Sequence, residues 1–196
     1  MKTLRFVLAS SSQRRIEILS WLGLNFEVCP HKYHEPKIKN HCEPEKFVIQ
    51  IAENKAKSLK EDYKDYIIIG CDTIVVLGNE IIGKPQNKKE AEVILRKLSN
   101  TKHKVLSGLC LYYPKKSLIF SGVEESIVYT NKLSEKQIKI LSAKHLDKAG
   151  SYAVQQKNDR FVKKIIGCYY NVVGFPLKLF LDLYSKLILK LSERKM

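Results

Sequence analysis

The chain has 196 residues, 44% apolar and 28% charged, the make-up of a globular protein able to bury about 70% of the surface its unfolded chain exposes. It lacks a stretch of about 18 apolar residues, a signal-peptide pattern and any Cys-x-x-Cys pair among its five cysteines, so we expect a cytoplasmic protein without membrane span or disulfide framework. The net charge of +15 fits nucleic-acid binding, steering of a polyphosphate into a cleft, or a plain lysine-rich surface, and no block of like charge decides among these.

Residues 3–9 read as a first strand, and Ser10, Ser11 and Ser12 then open a helix. Its apolar stripe is Ile16, Leu19 and Trp21 or Leu22, closed by Gly23. Serine hydroxyls, free backbone N–H groups and the helix dipole, set beside Arg14 and Arg15, make this start an anion site. Arginine is poorly placed at the positive end of a helix unless an anion is present. Residues 25–28 suggest a second strand. The loop after it carries Cys29, His31, His34, His41 and Cys42 in spacings that match no recurrent zinc pattern, with Glu35 between His34 and Pro36. Pro44 begins the next helix, whose stripe includes Phe47, Val48, Ile51, Ala52, Ala56 and Leu59. Lys55 falls in the middle of that stripe, so its amine either snorkels to solvent or reaches an anion.

Residues 67–76, Ile-Ile-Ile-Gly-Cys-Asp-Thr-Ile-Val-Val, read as a strand buried on both faces, with a carboxylate in its middle. An isolated buried charge costs several kcal/mol or more, so Asp72 must be paired, bound to a cation, or placed at a strand end that opens into a cleft. Gly78-Asn79 turns the chain into Ile81 and Ile82, and Gly83-Lys84-Pro85 then holds Lys84 on a rigid corner outside any Walker pattern. Asn87 to Glu90 resembles a capping box for a helix with core face Ala91, Ile94, Leu95 and Leu98. Strands at 105–113 and 118–130 flank the turn Pro114-Lys115-Lys116-Ser117, and Ser134 with Gln137 caps a short helix. A turn-rich passage, Asp147 to Tyr152, leads to Gln155 and a strand at 161–166. The last helix, with Leu177, Phe180, Leu181, Tyr184, Leu187, Ile188 and Leu191 on one face, packs on the sheet or on a second subunit. Strands alternating with helices give an α/β fold, read as one two-lobed domain over residues 1–196.

Together these motifs resemble the Maf family of nucleoside triphosphate pyrophosphatases. The resemblance rests on Ala9-Ser10-Ser11-Ser12-Gln13-Arg14-Arg15, Glu35, Glu53-Asn54-Lys55-Ala56, Asp72-Thr73, Gly83-Lys84-Pro85, Leu98-Ser99, Asp147-Lys148-Ala149-Gly150, Gln155 and Tyr170-Asn171-Val172-Val173-Gly174, in that order over nearly the whole chain. It implies an elongated, curved mixed sheet flanked by helices around a deep central cleft, as in the related inosine triphosphatases, and a homodimer. It also implies cleavage of a nucleoside triphosphate to the monophosphate and pyrophosphate with Mg²⁺ or Mn²⁺, in nucleotide-pool house-cleaning or division control. By the same resemblance Asp72 is the proton acceptor and holds the metal with Glu35, while Ser10, Ser12, Arg15, Lys55 and Lys84 hold the phosphates. Arg14, Thr73 and Gln155 match the branch resembling dTTP/UTP pyrophosphatases, where the 7-methyl-GTP branch carries tryptophan, glutamine and glutamate. The chain departs from the family pattern at Gln13, where proline is usual, at Cys168, where serine is common, and at Gln156-Lys157-Asn158, a stretch usually richer in glycine. The other readings are a hydrolase of modified or purine nucleotides and a basic nucleic-acid-binding protein.

Overall fold

The computed structural model describes residues 4–36, 43–146, 148–155 and 159–193. The expectations placed on Thr3, His41, Cys42, Asp147 and Gln156-Lys157-Asn158 lie outside those residues. Seven strands, β1 (Phe6–Leu8), β2 (Phe26–Val28), β3 (Ile67–Leu77), β4 (Glu80–Ile82), β5 (Lys102–Tyr113), β6 (Leu118–Thr130) and β7 (Val162–Gly167), form one mixed sheet in the order β2-β1-β3-β5-β6-β7, with β4 also on β3. β2, β1 and β3 run parallel, and the remaining pairings are antiparallel. The helices are α1 (Gln13–Ser20), α2 (Pro44–Lys57), α3 (Lys88–Leu98), α4 (Glu135–Leu141), α5 (Tyr169–Val173) and α6 (Leu177–Glu193).

The period of two along β3 divides the core. Ile67, Ile69 and Cys71 share one cluster with Phe180, Leu183 and Leu187 of α6, while Ile68, Ile74 and Val76 face α2. Helix α2 lies close on the sheet because two glycines clear its path. A Cβ on Gly70 would stand 2.1 Å from the Ala52 carbonyl oxygen, and one on Gly108 would stand 2.2 Å from that of Val48. Gly108 is the partner of Asp72 across the β3–β5 ladder, so this contact lowers Lys55 onto the carboxylate.

One edge of β3 is split. β1 pairs with Ile67 to Ile69 and β4 with Val75 to Leu77, so, among the described residues, 70–74 have no strand partner on that side. Asp72 therefore sits in the middle of the strand, not at its end, and it is the open edge that lets a cleft reach it.

Elsewhere the pattern reading needs local correction. Ile18 and Leu19 are the buried residues of α1, whereas Trp21 is 62% exposed, because it is the C-cap and turns outward against the edge of Tyr170. On α6 the buried residues are Phe180, Leu183 and Leu187, with Leu177, Tyr184 and Leu191 packed on the same cluster, so the expected stripe stands except that Leu181 faces out and Leu183 turns in. This helix packs on the sheet. β5 begins at Lys102, three residues earlier than expected. The Ser134 capping box is present in full, while Asn87 receives only the Glu90 N–H and the Glu90 carboxylate turns instead to the Gln86 N–H.

Candidate active site

The split edge opens into a cleft of about 650 Å³. Its charged wall begins where β1 runs into α1. Ser10 Oγ accepts from the Ser12 N–H at 3.2 Å and from Arg15 Nη1 at 3.3 Å. The Ser12 side chain makes no cap bond, so its hydroxyl is not turned back on the helix. Arg15 lies along the open edge, donating from Nη1 to the Cys71 carbonyl at 2.8 Å and from Nε to the Gly174 carbonyl at 3.0 Å. A third contact, Nη2 to Thr73 Oγ1 at 3.5 Å, is at the limit for a hydrogen bond. The guanidinium thus occupies part of the place a neighbouring strand would fill, a scaffold part the spacing of the motif did not reveal.

Lys55 settles the choice left open for its amine: it reaches an anion of the protein itself. Its Nζ lies 2.7 Å from Asp72 Oδ1 and 2.8 Å from Glu35 Oε1, with its side chain 4% exposed. Two carboxylates drawn to one buried ammonium offset the desolvation that each would suffer alone. Among the described residues Asp72 Oδ2 accepts no hydrogen bond. Burial pushes the Glu35 carboxyl up, but the Lys55 hydrogen bond and charge, with Lys84 and His31, outweigh it and hold the group below the usual carboxylate range. His31, 3.5 Å from Glu35 Oε1, is pushed down first by burial and then by Lys55, against the pull of Glu35.

A second stretch of wall is apolar. Val75, Val105, Tyr152 and Val172 line it and belong to, or pack on, the cluster under α3 and α4. Thr73 and Gln155 also line the cleft. Thr73 points to the opposite sheet face from Asp72, and its Oγ1 shares a hydrogen with Ser107 Oγ at 2.8 Å. Ligand lying across the open edge can reach both faces.

The structure therefore brings Ser10, Ser12, Arg14, Arg15, Glu35, Lys55, Thr73, Lys84 and Gln155 to one cleft, with Asp72 directly beneath Lys55. The sequence reading missed His31, Lys148 and Tyr152 as cleft residues. His31 carried a usable signal, standing four residues before Glu35; Tyr152, inside a turn-rich passage, carried none. Glu35 and Asp72 offer hard oxygens suited to Mg²⁺ or Mn²⁺. Among the described residues no three His, Cys, Asp or Glu side chains converge as a protein-only cage. That donor set fits an ion bound through one or two carboxylates plus substrate phosphates.

Comparison with known proteins gives a family model, "Maf-like protein", matching residues 5–187. The dTTP/UTP pyrophosphatase of Aquifex aeolicus is 41% identical over 89% of this chain and 90% of its own, and that of Caldicellulosiruptor bescii 40% over 88% and 89%. The dTTP/UTP pyrophosphatase of Elusimicrobium minutum is 35% identical over 90% and 95%. Among solved structures, a nucleoside-triphosphatase / dITP/XTP pyrophosphatase from Mycobacterium abscessus aligns over 96% of this chain and 98% of its own, at 12% identity and a TM-score of 0.44.

Proposed function

From its membership of the Maf family, to which this chain belongs, we propose that it is a nucleoside triphosphate pyrophosphatase that prefers dTTP and UTP. Water adds to the α-phosphorus, the bond to the oxygen bridging to the β-phosphorus breaks, and nucleoside monophosphate and pyrophosphate are released. The observation that carries this reading is the joining of Asp72 and Glu35 through Lys55 at the one stretch of β3 with an open edge.

A triphosphate brings about four negative charges, and clamps of lysine and arginine stabilise charge developing on phosphoryl oxygens. Lys84, Lys55, Ser10, Ser12 and Arg15 suit that part, with Arg15 also fixing the edge of β3. Asp72 takes the proton of the attacking water through the oxygen Lys55 does not hold. Glu35 and Asp72 would hold Mg²⁺ or Mn²⁺, which would supply neutralisation of the phosphate charge and make the attacking water easier to deprotonate. Thr73 and Gln155 offer both donors and acceptors, which a thymine or uracil edge requires, and Arg14 lines the same cleft. On the same reading the enzyme is a cytoplasmic homodimer serving nucleotide-pool house-cleaning.

The test is a panel of standard and modified nucleoside triphosphates with Mg²⁺ or Mn²⁺, scored by kcat/KM and by product. Monophosphate plus pyrophosphate, fastest from dTTP and UTP and abolished by chelation, is expected. Release of diphosphate and orthophosphate, or no turnover with either ion, overturns the proposal; a purine or modified base at the top overturns the preference.

A further inference from the structure

Within the apolar cluster behind the cleft lies a polar pair that neither the phosphate chemistry nor the assigned base contacts use. His103, on β5 opposite Val128 of β6, is 2% exposed, and its Nε2 lies 2.7 Å from the hydroxyl of Tyr152, itself 7% exposed. The two rings meet edge-on at 5.5 Å, and Tyr152 meets Phe161 in the same way at 5.3 Å. The imidazole Nδ1 is buried without a partner. An imidazole half satisfied among Val105, Val128 and Phe161 is a poor choice for stability, because a buried polar atom left unpaired keeps its desolvation cost and an aliphatic side chain would avoid it. Its one bond goes to Tyr152, so what it secures is the position of that ring.

Tyr152 needs securing because the turn before it is strained. Gly150 and Ser151 follow one another with φ of 75° and 57°, and in that region a side chain such as that of Ser151 crowds its own backbone, which glycine avoids. Ser151 is fully buried, and its Oγ finds no hydrogen-bond partner. A Cβ on Gly150 would meet the Tyr152 ring at 3.0 Å and Val75 Cγ2 at 3.2 Å, so the ring lies closely across the turn. The Gly150 N–H donates to the Gly83 carbonyl at 3.4 Å, joining the turn to the corner that carries Lys84. Three residues beyond Tyr152 stands Gln155. A backbone held in this conformation persists only when its surroundings over-determine it; the Gly150 and Ser151 N–H groups bond to the Gly83 and Lys148 carbonyls, and the His103–Tyr152 bond is the side-chain contact that fixes the ring lying across the turn.

We propose that His103 is a positioning residue for base selection: through the Tyr152 hydroxyl it fixes the segment 148–155, and with it the wall and the glutamine against which a base is sorted. This rests on the pyrophosphatase reading. A pure packing role would lower stability and turnover for every nucleotide alike. A positioning role loads onto KM and onto the ratio between bases, leaving the phosphate end as it was.

The experiment compares full-length wild type with Tyr152→Phe, His103→Leu, His103→Gln and the Phe/Leu double variant, using dTTP, UTP, CTP and ATP. Inorganic triphosphate serves as a base-free competitor, and Tm is followed in parallel. Tyr152→Phe, which keeps the ring, is the decisive variant because it removes one oxygen only. It and His103→Leu are expected to raise KM for dTTP and UTP about tenfold, with a similar loss of preference over CTP and ATP. Inhibition by triphosphate should stay within about twofold, and the double variant should be no worse than either single one. His103→Gln, which can still bond the phenol, should keep most of the preference. An unchanged preference ratio in Tyr152→Phe, or equal losses for all nucleotides, overturns the proposal while the pyrophosphatase reading stands. A wild type that releases pyrophosphate from none of them overturns both.

Discussion

The two stretches of the cleft wall are held by different physics. At the charged stretch, Asp72 stands on a strand paired along its whole inner edge with β5, and Lys55 stands on a helix drawn to that strand by backbone contact over Gly70 and Gly108. Position there is fixed by regular structure, and the ion pairs are laid over it. At the apolar stretch, Tyr152 and Gln155 belong to a segment with little regular structure, kept in a strained turn by a buried His–Tyr bond. The first arrangement tolerates little change of volume and loses everything at once. The second can fail by degrees, which suits a wall that sorts bases and not one that positions a reacting water.

The largest break expected falls on the charged stretch. Asp72→Asn retains an oxygen for Lys55 and so should keep the fold, but it cannot take a proton; pyrophosphate release should drop about a thousandfold, with the far-ultraviolet circular dichroism spectrum unchanged. Wild-type rates would remove Asp72 from its assigned part. Gly70→Ala attacks the same stretch from beneath. Since its methyl would overlap the Ala52 carbonyl, α2 must lift and carry Lys55 off the carboxylate. A loss of about 3 kcal/mol by urea unfolding, together with most of the turnover, is expected.

That asymmetry also explains what the sequence could disclose. The strand 67–76 follows from a continuous β-branched run, and the stripe of α2 with Lys55 inside it from a period of 3.6, so the charged stretch was legible as a set of misfit charges on apolar faces. What was not legible was the split edge of β3. Nothing in Ile67 to Leu77 says that β1 will pair only with Ile67 to Ile69, and so a strand end was the one way the sequence offered for a cleft to reach the carboxylate. Arg15 as a strut on the Cys71 carbonyl is likewise a product of long-range geometry. Tyr152 and His103 are separated by 49 residues, and neither breaks a local pattern strongly enough to announce the other.

Acid should weaken the apolar stretch in a defined window. Burial pushes the His103 imidazole down to about 4 from an ordinary 6.5. Because the folded pKa is depressed, the unfolded chain takes up the proton first as pH falls. Stability is therefore whole above about 6.5 and declines as pH falls through the window to about 4, by roughly 3 kcal/mol in total. Urea midpoints measured every half unit of pH should show that decline in the wild type and a flatter curve over the same window in His103→Gln. Parallel curves for the two proteins would mean that some other group titrates there.

The smallest effect should come where the two stretches meet, at Thr73. Thr73→Val keeps the shape of the side chain but removes the hydroxyl shared with Ser107 and approached by Arg15. Ser107 is fully buried, so its own hydroxyl is left seeking a partner, at about 1 kcal/mol of stability. Arg15 retains its bonds to the Cys71 and Gly174 carbonyls, and the edge of β3 should stay as it is. Turnover number should then change little, while kcat/KM for dTTP and UTP falls about tenfold or less relative to CTP, since the oxygen proposed to meet the base has gone. If turnover instead collapses for every nucleotide, Thr73 belongs with Asp72 and the charged stretch, and the division of the cleft must be drawn one residue further along β3.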